Sequence, residues 1–195
     1  MRHDVEDGGG APGVAERGQR NVSSVRAGTS PEEMQKRMEA AGTPGPAHKA
    51  LDALAGSWKA EVKCWHEPGS APQVSQGTAK TRWILNGHFL EEEFNGEMMG
   101  KAFTGRSLMG YDNTKEQYQM TWVSDMQTSI FVTAGKGDQG NHVITLEGRS
   151  DCPGTGQRDI PMKSIFRILS RDKHIFEMHD GSKNMKVMEI TYTRA

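Results

Sequence analysis

The chain has 195 residues, of which 34% are hydrophobic, and its 24 basic and 25 acidic side chains leave a formal charge of −1. That length fits one domain of about 100–200 residues with an appendage, and the low hydrophobic share predicts that part of the chain stays outside the core. The balanced charge gives no global pull toward nucleic acid or an anionic membrane, and no apolar run approaches the roughly 18 residues that a spanning helix needs.

The opening, MRHDVEDGGG, is polar and acidic where a signal peptide carries a basic and then an apolar stretch. The sequence is therefore read as that of a soluble cytoplasmic protein. Residues 1–30 are rich in Gly, Ser, Arg and acids, a composition that cannot offset the entropy of ordering, so disorder is expected there. Arg2, Arg17, Arg20 and Arg26 are matched by Asp4, Glu6, Asp7 and Glu16, which argues against a nucleic-acid-binding arm. Residues 31–55 read as a helical lead-in. Ser30-Pro31-Glu32-Glu33 places Ser at an N-cap, Pro at the first helical position and Glu33 at the capping-box position. The helix should run to Ala41 and end at Gly42, before Pro44 and Pro46. A second short turn, Ala47 to Leu54, carries Leu51 and Leu54 at helical spacing and is expected to close one end of the following domain, with His48 at the surface.

From Trp58 the hydrophobic period becomes two. Strands are predicted near 57–66, 74–85, 88–95, 102–111, 116–124, 128–135, 141–149, 160–170, 174–180 and 184–193. Their connectors are too short for crossover helices, so neighbours pair antiparallel. About ten antiparallel strands with no run of helices to cover an open sheet predict a mainly β fold, a single up-and-down barrel over residues 56–195. A barrel of that size has room for side chains plus one small ligand. Cys64 and Cys152 set no disulfide framework and are expected as reduced thiols.

LAGSWKAEV at 54–62 resembles the Gly-x-Trp opening of the calycin barrels, the group of lipocalins and fatty-acid-binding proteins. The ordered set of LAGSW, ILNGHFLEEEFNGEMMG, FTGRSLMGYDN, TWVSDMQT and KVMEITYTR is similar to a bacterial lipocalin-like family, domain of unknown function 1579, over residues 50–194. Asn86 stands where that family more often has glycine, and Ser124-Asp125 inverts its usual order. The resemblance implies a container. It also implies that Trp58 plugs the closed end.

Within LEEEF, Phe89, Glu91 and Glu93 share one strand face and Leu90, Glu92 and Phe94 the other, so either orientation turns an acid inward. An inward Glu needs a partner such as Arg82, Arg106, Arg167 or a ligand cation. Glu91, which shares a face with Phe89, is the acid taken as inward. Phe89, Glu91, Phe103, Tyr118, Met120, Trp122 and Met126 are the expected ligand-binding residues. Flexible methionines suit an adaptable apolar wall. No His-x-His, His-Glu-x-x-His or Cys-x-x-Cys spacing supports a protein-bound metal, and no nucleophile elbow supports covalent catalysis. The expected function is binding of a small, largely apolar molecule, with no cofactor and no nucleic-acid or membrane partner. Two alternatives stand beside it: an isomerase or cyclase using an inward acid, and a haem or tetrapyrrole carrier using His179. Nothing in the sequence speaks to oligomeric state.

Overall fold

The computed structural model describes residues 28–195. The disorder expected for residues 1–30 therefore lies, for 1–27, outside the described residues. Helix α1 (Pro31–Ala41) begins as its sequence demands: the Ser30 hydroxyl accepts the Glu33 backbone N–H at 3.2 Å and Pro31 occupies the first turn. The Gly42 N–H closes the last turn onto the Met38 carbonyl. Helix α2 (Pro46–Ala50) runs directly into a 3₁₀ turn, Leu51–Leu54.

Ten strands follow: β1 (Gly56–Cys64), β2 (Gln73–Ile84), β3 (Phe89–Met98), β4 (Lys101–Asp112), β5 (Gln117–Ser124), β6 (Gln127–Gly137), β7 (Val143–Ser150), β8 (Ile160–Ser170), β9 (Lys173–Asp180) and β10 (Met185–Arg194). Each pairs antiparallel with its sequence neighbours. The first and last close the barrel through the register Trp58↔Arg194 to Cys64↔Met188. All ten expected strands are present; β3 continues past Asn95 to Met98 and β1 stops at Cys64 rather than reaching His66. The ladder between β6 and β7 is the shortest, holding only Thr133–Gly137 against Ile144–Gly148.

Alternation decides what the lumen contains. Trp58, Ala60 and Val62 of β1, Leu90 and Phe94 of β3, Tyr118 and Met120 of β5, and Ile190 and Tyr192 of β10 are buried and belong to one core. One end of the barrel is plugged by α2 and the 3₁₀ turn. Leu51 and Leu54 sit in the core there, and the Tyr118 hydroxyl donates to the Ala47 carbonyl at 3.0 Å. His48, expected at the surface, is instead buried at 5% exposure. Its Nδ1 accepts the Gly45 N–H at 3.1 Å and its ring meets Tyr111 edge-on, because α2 lies against the barrel end rather than over it in solvent.

Candidate functional site: the barrel lumen

The lumen is layered. Beneath it, at the plugged end, Trp58 donates its indole N–H to the Leu54 carbonyl at 2.9 Å. The Trp58 ring packs edge-on to His174 at 4.5 Å between centroids and lies under the Arg194 guanidinium at 4.3 Å. His174 stacks on Tyr192 at 4.3 Å and 14°. Burial, seconded by the Arg194 charge, pulls the His174 imidazole down to about 3, so at neutral pH it is an uncharged ring in an aromatic stack.

Above this floor Phe94 forms a cluster with Phe103 at 5.8 Å, Trp122 at 6.4 Å and Tyr192 at 6.5 Å. Glycines on the same and neighbouring strands make room for these rings. A Cβ on Gly105 would lie 2.2 Å from the Trp122 ring, and one on Gly96 would lie 2.6 Å from Phe94. The glycine spacing of the strands is thus a packing requirement of the aromatics. Although they point inward, Phe103, Trp122, Phe166, Met178 and Met188 are only half-buried. They pack against the buried core without being sealed within it.

One acid enters this apolar wall. Glu92 stands between Leu90 and Phe94 on the inward face of β3, in register with Thr81 of β2 and Ser107 of β4. The Thr81 hydroxyl, donating to Glu92 Oε2 at 3.3 Å, is its one hydrogen-bond partner among the described residues. Burial pushes the Glu92 carboxyl up to about 7, with the Thr81 bond pulling weakly the other way. The Tyr192 phenol is raised well above its ordinary value, by burial first and then by the negative charge of Glu92.

The model of the protein family described as protein of unknown function (DUF1579) matches residues 43–194. The chain belongs to the DUF1579 family. No curated protein matches it. Among solved structures, Rv2717c from M. tuberculosis is 16% identical, with 78% of this chain and 99% of that chain covered and a TM-score of 0.58. A redesigned beta barrel, b11L5F_LGL, is 14% identical over 75% of this chain and 95% of that one, with a TM-score of 0.40. At that identity, the likeness to Rv2717c concerns the barrel fold alone.

Placed on this DUF1579 barrel, the expected ligand-binding residues divide. Phe103, Tyr118, Met120 and Trp122 face the lumen, with Tyr118 and Met120 deep and Trp122 higher on the same strand. Glu91 does not. It lies on the outer face, held by Arg82 at 2.7 Å and Arg106 at 3.6 Å, because the register places both arginines beside it on neighbouring strands. Phe89 shares that outer face, 36% exposed, next to His88. Met126, 46% exposed, sits in the β5–β6 turn beside Asp125. The Asp125 carboxylate accepts the Thr104 N–H at 3.1 Å, so the inverted Ser-Asp pair braces a turn. His179 points outward with its Nε2 3.5 Å from the Glu177 carboxylate, and it lines a concavity of about 530 Å³ at the rim where the ends of β7, β8, β9 and β10 meet. Arg167 pairs with Glu177 on the same outer wall.

Sequence reasoning passed over Glu92, Thr81, His174 and Tyr192. A signal for Glu92 was available: both apolar ends of LEEEF, Leu90 and Phe94, fall on its face, whereas Glu91 shares its face with one apolar residue and a second acid.

Proposed function

We propose that this protein binds a small, largely apolar molecule inside the barrel. The observation that carries this reading is the set of half-buried inward side chains, Phe103, Trp122, Phe166, Met178 and Met188, together with an inward carboxyl that has a single long hydrogen bond. A core built only for stability would seal such side chains from water, since each Å² of apolar surface left accessible forgoes about 25 cal/mol. Concave, mostly apolar sites with few polar groups are the usual form of small-molecule pockets. Among the described residues, no helix is long and apolar enough to cross a membrane.

Native mass spectrometry of gently purified protein, together with tryptophan fluorescence during titration with apolar probes, tests the proposal. A retained small mass, or a saturable fluorescence change that Trp122→Phe largely removes, is expected. A barrel that retains nothing and responds to no probe would leave a structural role as the better account.

One observation favours a catalytic variant of the same reading. A carboxyl held at about 7 is matched to general acid–base work at neutral pH. In that case Glu92→Gln would abolish turnover while leaving binding of the apolar body intact. The haem alternative fits less well. His179 lies outside the lumen against Glu177, and the inward His174 is 2% exposed, enclosed by Trp58 and Tyr192, so neither presents an axial ligand to the interior. A Soret band on hemin addition that is lost in His179→Ala would place haem on the outer wall instead.

A further inference from the structure

We propose that the lumen selects amines: a ligand whose protonated amino group pairs with Glu92 and whose apolar body lies against Phe103 and Trp122. This rests on the reading that the lumen holds a ligand at all, and it deepens that reading to a chemical class.

Glu92 is held in place by its strand but not satisfied by its surroundings. Among the described residues it makes no ion pair and accepts only the long Thr81 hydrogen bond, which leaves Oε1 without a protein donor. The groups that face it do not supply a cation. Thr81 comes from β2, Ser107 from β4 and the phenol of Tyr192 from β10. His174, behind Tyr192, is an uncharged ring at neutral pH. Arg194, the nearest guanidinium of the plug, is spent on Asp172 at 3.0 Å, the Arg171 and Ala55 carbonyls and the Trp58 ring. The arginines adjacent in sequence register, Arg82 and Arg106, serve Glu91 and Glu93 on the other side of the wall.

Ligand chemistries differ in what they meet here. A carboxylate head would face a carboxyl with no cation to share, and a hydroxyl would leave any charge on Glu92 uncompensated. An ammonium supplies up to three donors to the two oxygens and neutralises the charge beside a mostly apolar wall. The encounter is balanced in protons. Where Glu92 is protonated before binding, the pair forms as the carboxyl releases its proton to solvent and the incoming ammonium keeps its own. Amine affinity should therefore rise about tenfold per pH unit below about 7, where Glu92 titrates, and level off above it until the amine itself deprotonates.

The test titrates the full chain with 1-octylamine, 1-octanol and octanoate, followed by tryptophan fluorescence and calorimetry. At pH 8 the amine should bind about tenfold or more tighter than the alcohol, and the alcohol tighter than the acid. Glu92→Gln should erase the amine's advantage while leaving the alcohol within about twofold, and Glu91→Gln on the outer wall should preserve that advantage. Should Glu92→Gln fail to fold, the pH dependence of amine affinity in the wild type decides the matter. Equal binding of amine and alcohol, preference for octanoate, or a flat pH profile overturns the amine proposal while lumen binding stands. Absence of binding by all three probes overturns both.

Discussion

Three successive residues in the β2–β3 turn, Leu85, Asn86 and Gly87, have φ of 48°, 56° and 82°. Glycine adopts that region freely and asparagine tolerates it, which is why Asn86 can stand beside Gly87 in this turn. Leucine has no such excuse: a left-handed non-glycine residue costs about 1–2 kcal/mol. Its side chain is 67% exposed, so packing offsets little of this. The turn is pinned from the other side, where His88 Nδ1 lies 2.6 Å from the Leu85 carbonyl and Nε2 lies 2.8 Å from the Gly42 carbonyl at the end of α1. Leu85→Gly should raise stability by about 0.5–1 kcal/mol, the relieved strain being partly cancelled by the freer unfolded chain. Urea unfolding checks this, and a loss of stability would mean that the exposed leucine makes a contact worth more than its strain.

At the scale of elements, the plug joins α2 and its 3₁₀ turn to the start of β1 through a single side chain. Trp58 is 1% exposed and touches Leu54, His174 and Arg194 at once. Trp58→Ala should cost about 3–5 kcal/mol, as expected for a fully buried aromatic, without altering which apolar probes bind. An unchanged melting temperature would remove Trp58 from that role. Elements of this kind were legible in the chain because their signals are local: Ser30 and Pro31 start a helix, and period-two runs between turn residues make strands. Which face of β3 turns inward was not legible in the same way. Period two offers two answers, and the choice depends on Arg82 and Arg106 meeting Glu91 across two strand boundaries while Phe94 finds Gly105. Those are facts of register. His48 was misplaced for a similar reason: its burial depends on where α2 docks, and Tyr111, its neighbour, lies far along the chain.

For the molecule as a whole, two inward groups give stability opposite dependences on pH. Glu92 titrates at about 7 when folded against an ordinary 4.5, so the folded state keeps a proton that the unfolded chain releases, and stability falls as pH rises between those values. His174 titrates at about 3 when folded against 6.5, so the unfolded chain takes up the extra proton and stability rises with pH from 3 to 6.5. Each slope is about 1.4 kcal/mol per pH unit where one proton separates the states. Across the shared window, pH 4.5 to 6.5, they oppose each other, and the His48 imidazole, lowered by its burial, adds a rise of its own, so the wild type should gain only modestly. Glu92→Gln should instead gain stability steadily across that window, as read from urea midpoints at pH 4.5, 5.5 and 6.5; curves running parallel to the wild type would sink the assignment. The barrel seam carries a different consequence. Because β1 pairs with β10 and the Ala195 N–H reaches the Ser57 carbonyl at 3.0 Å, the two ends of the barrel lie side by side at the plug. The nine hairpin ladders can form between sequence neighbours, but the seam joins strands separated by nearly the whole domain, so it bears the largest loop-closure entropy and the highest contact order in the fold. Losing the last strand would expose two unpaired edges at once, turning a closed barrel with no edge into an open sheet prone to self-association.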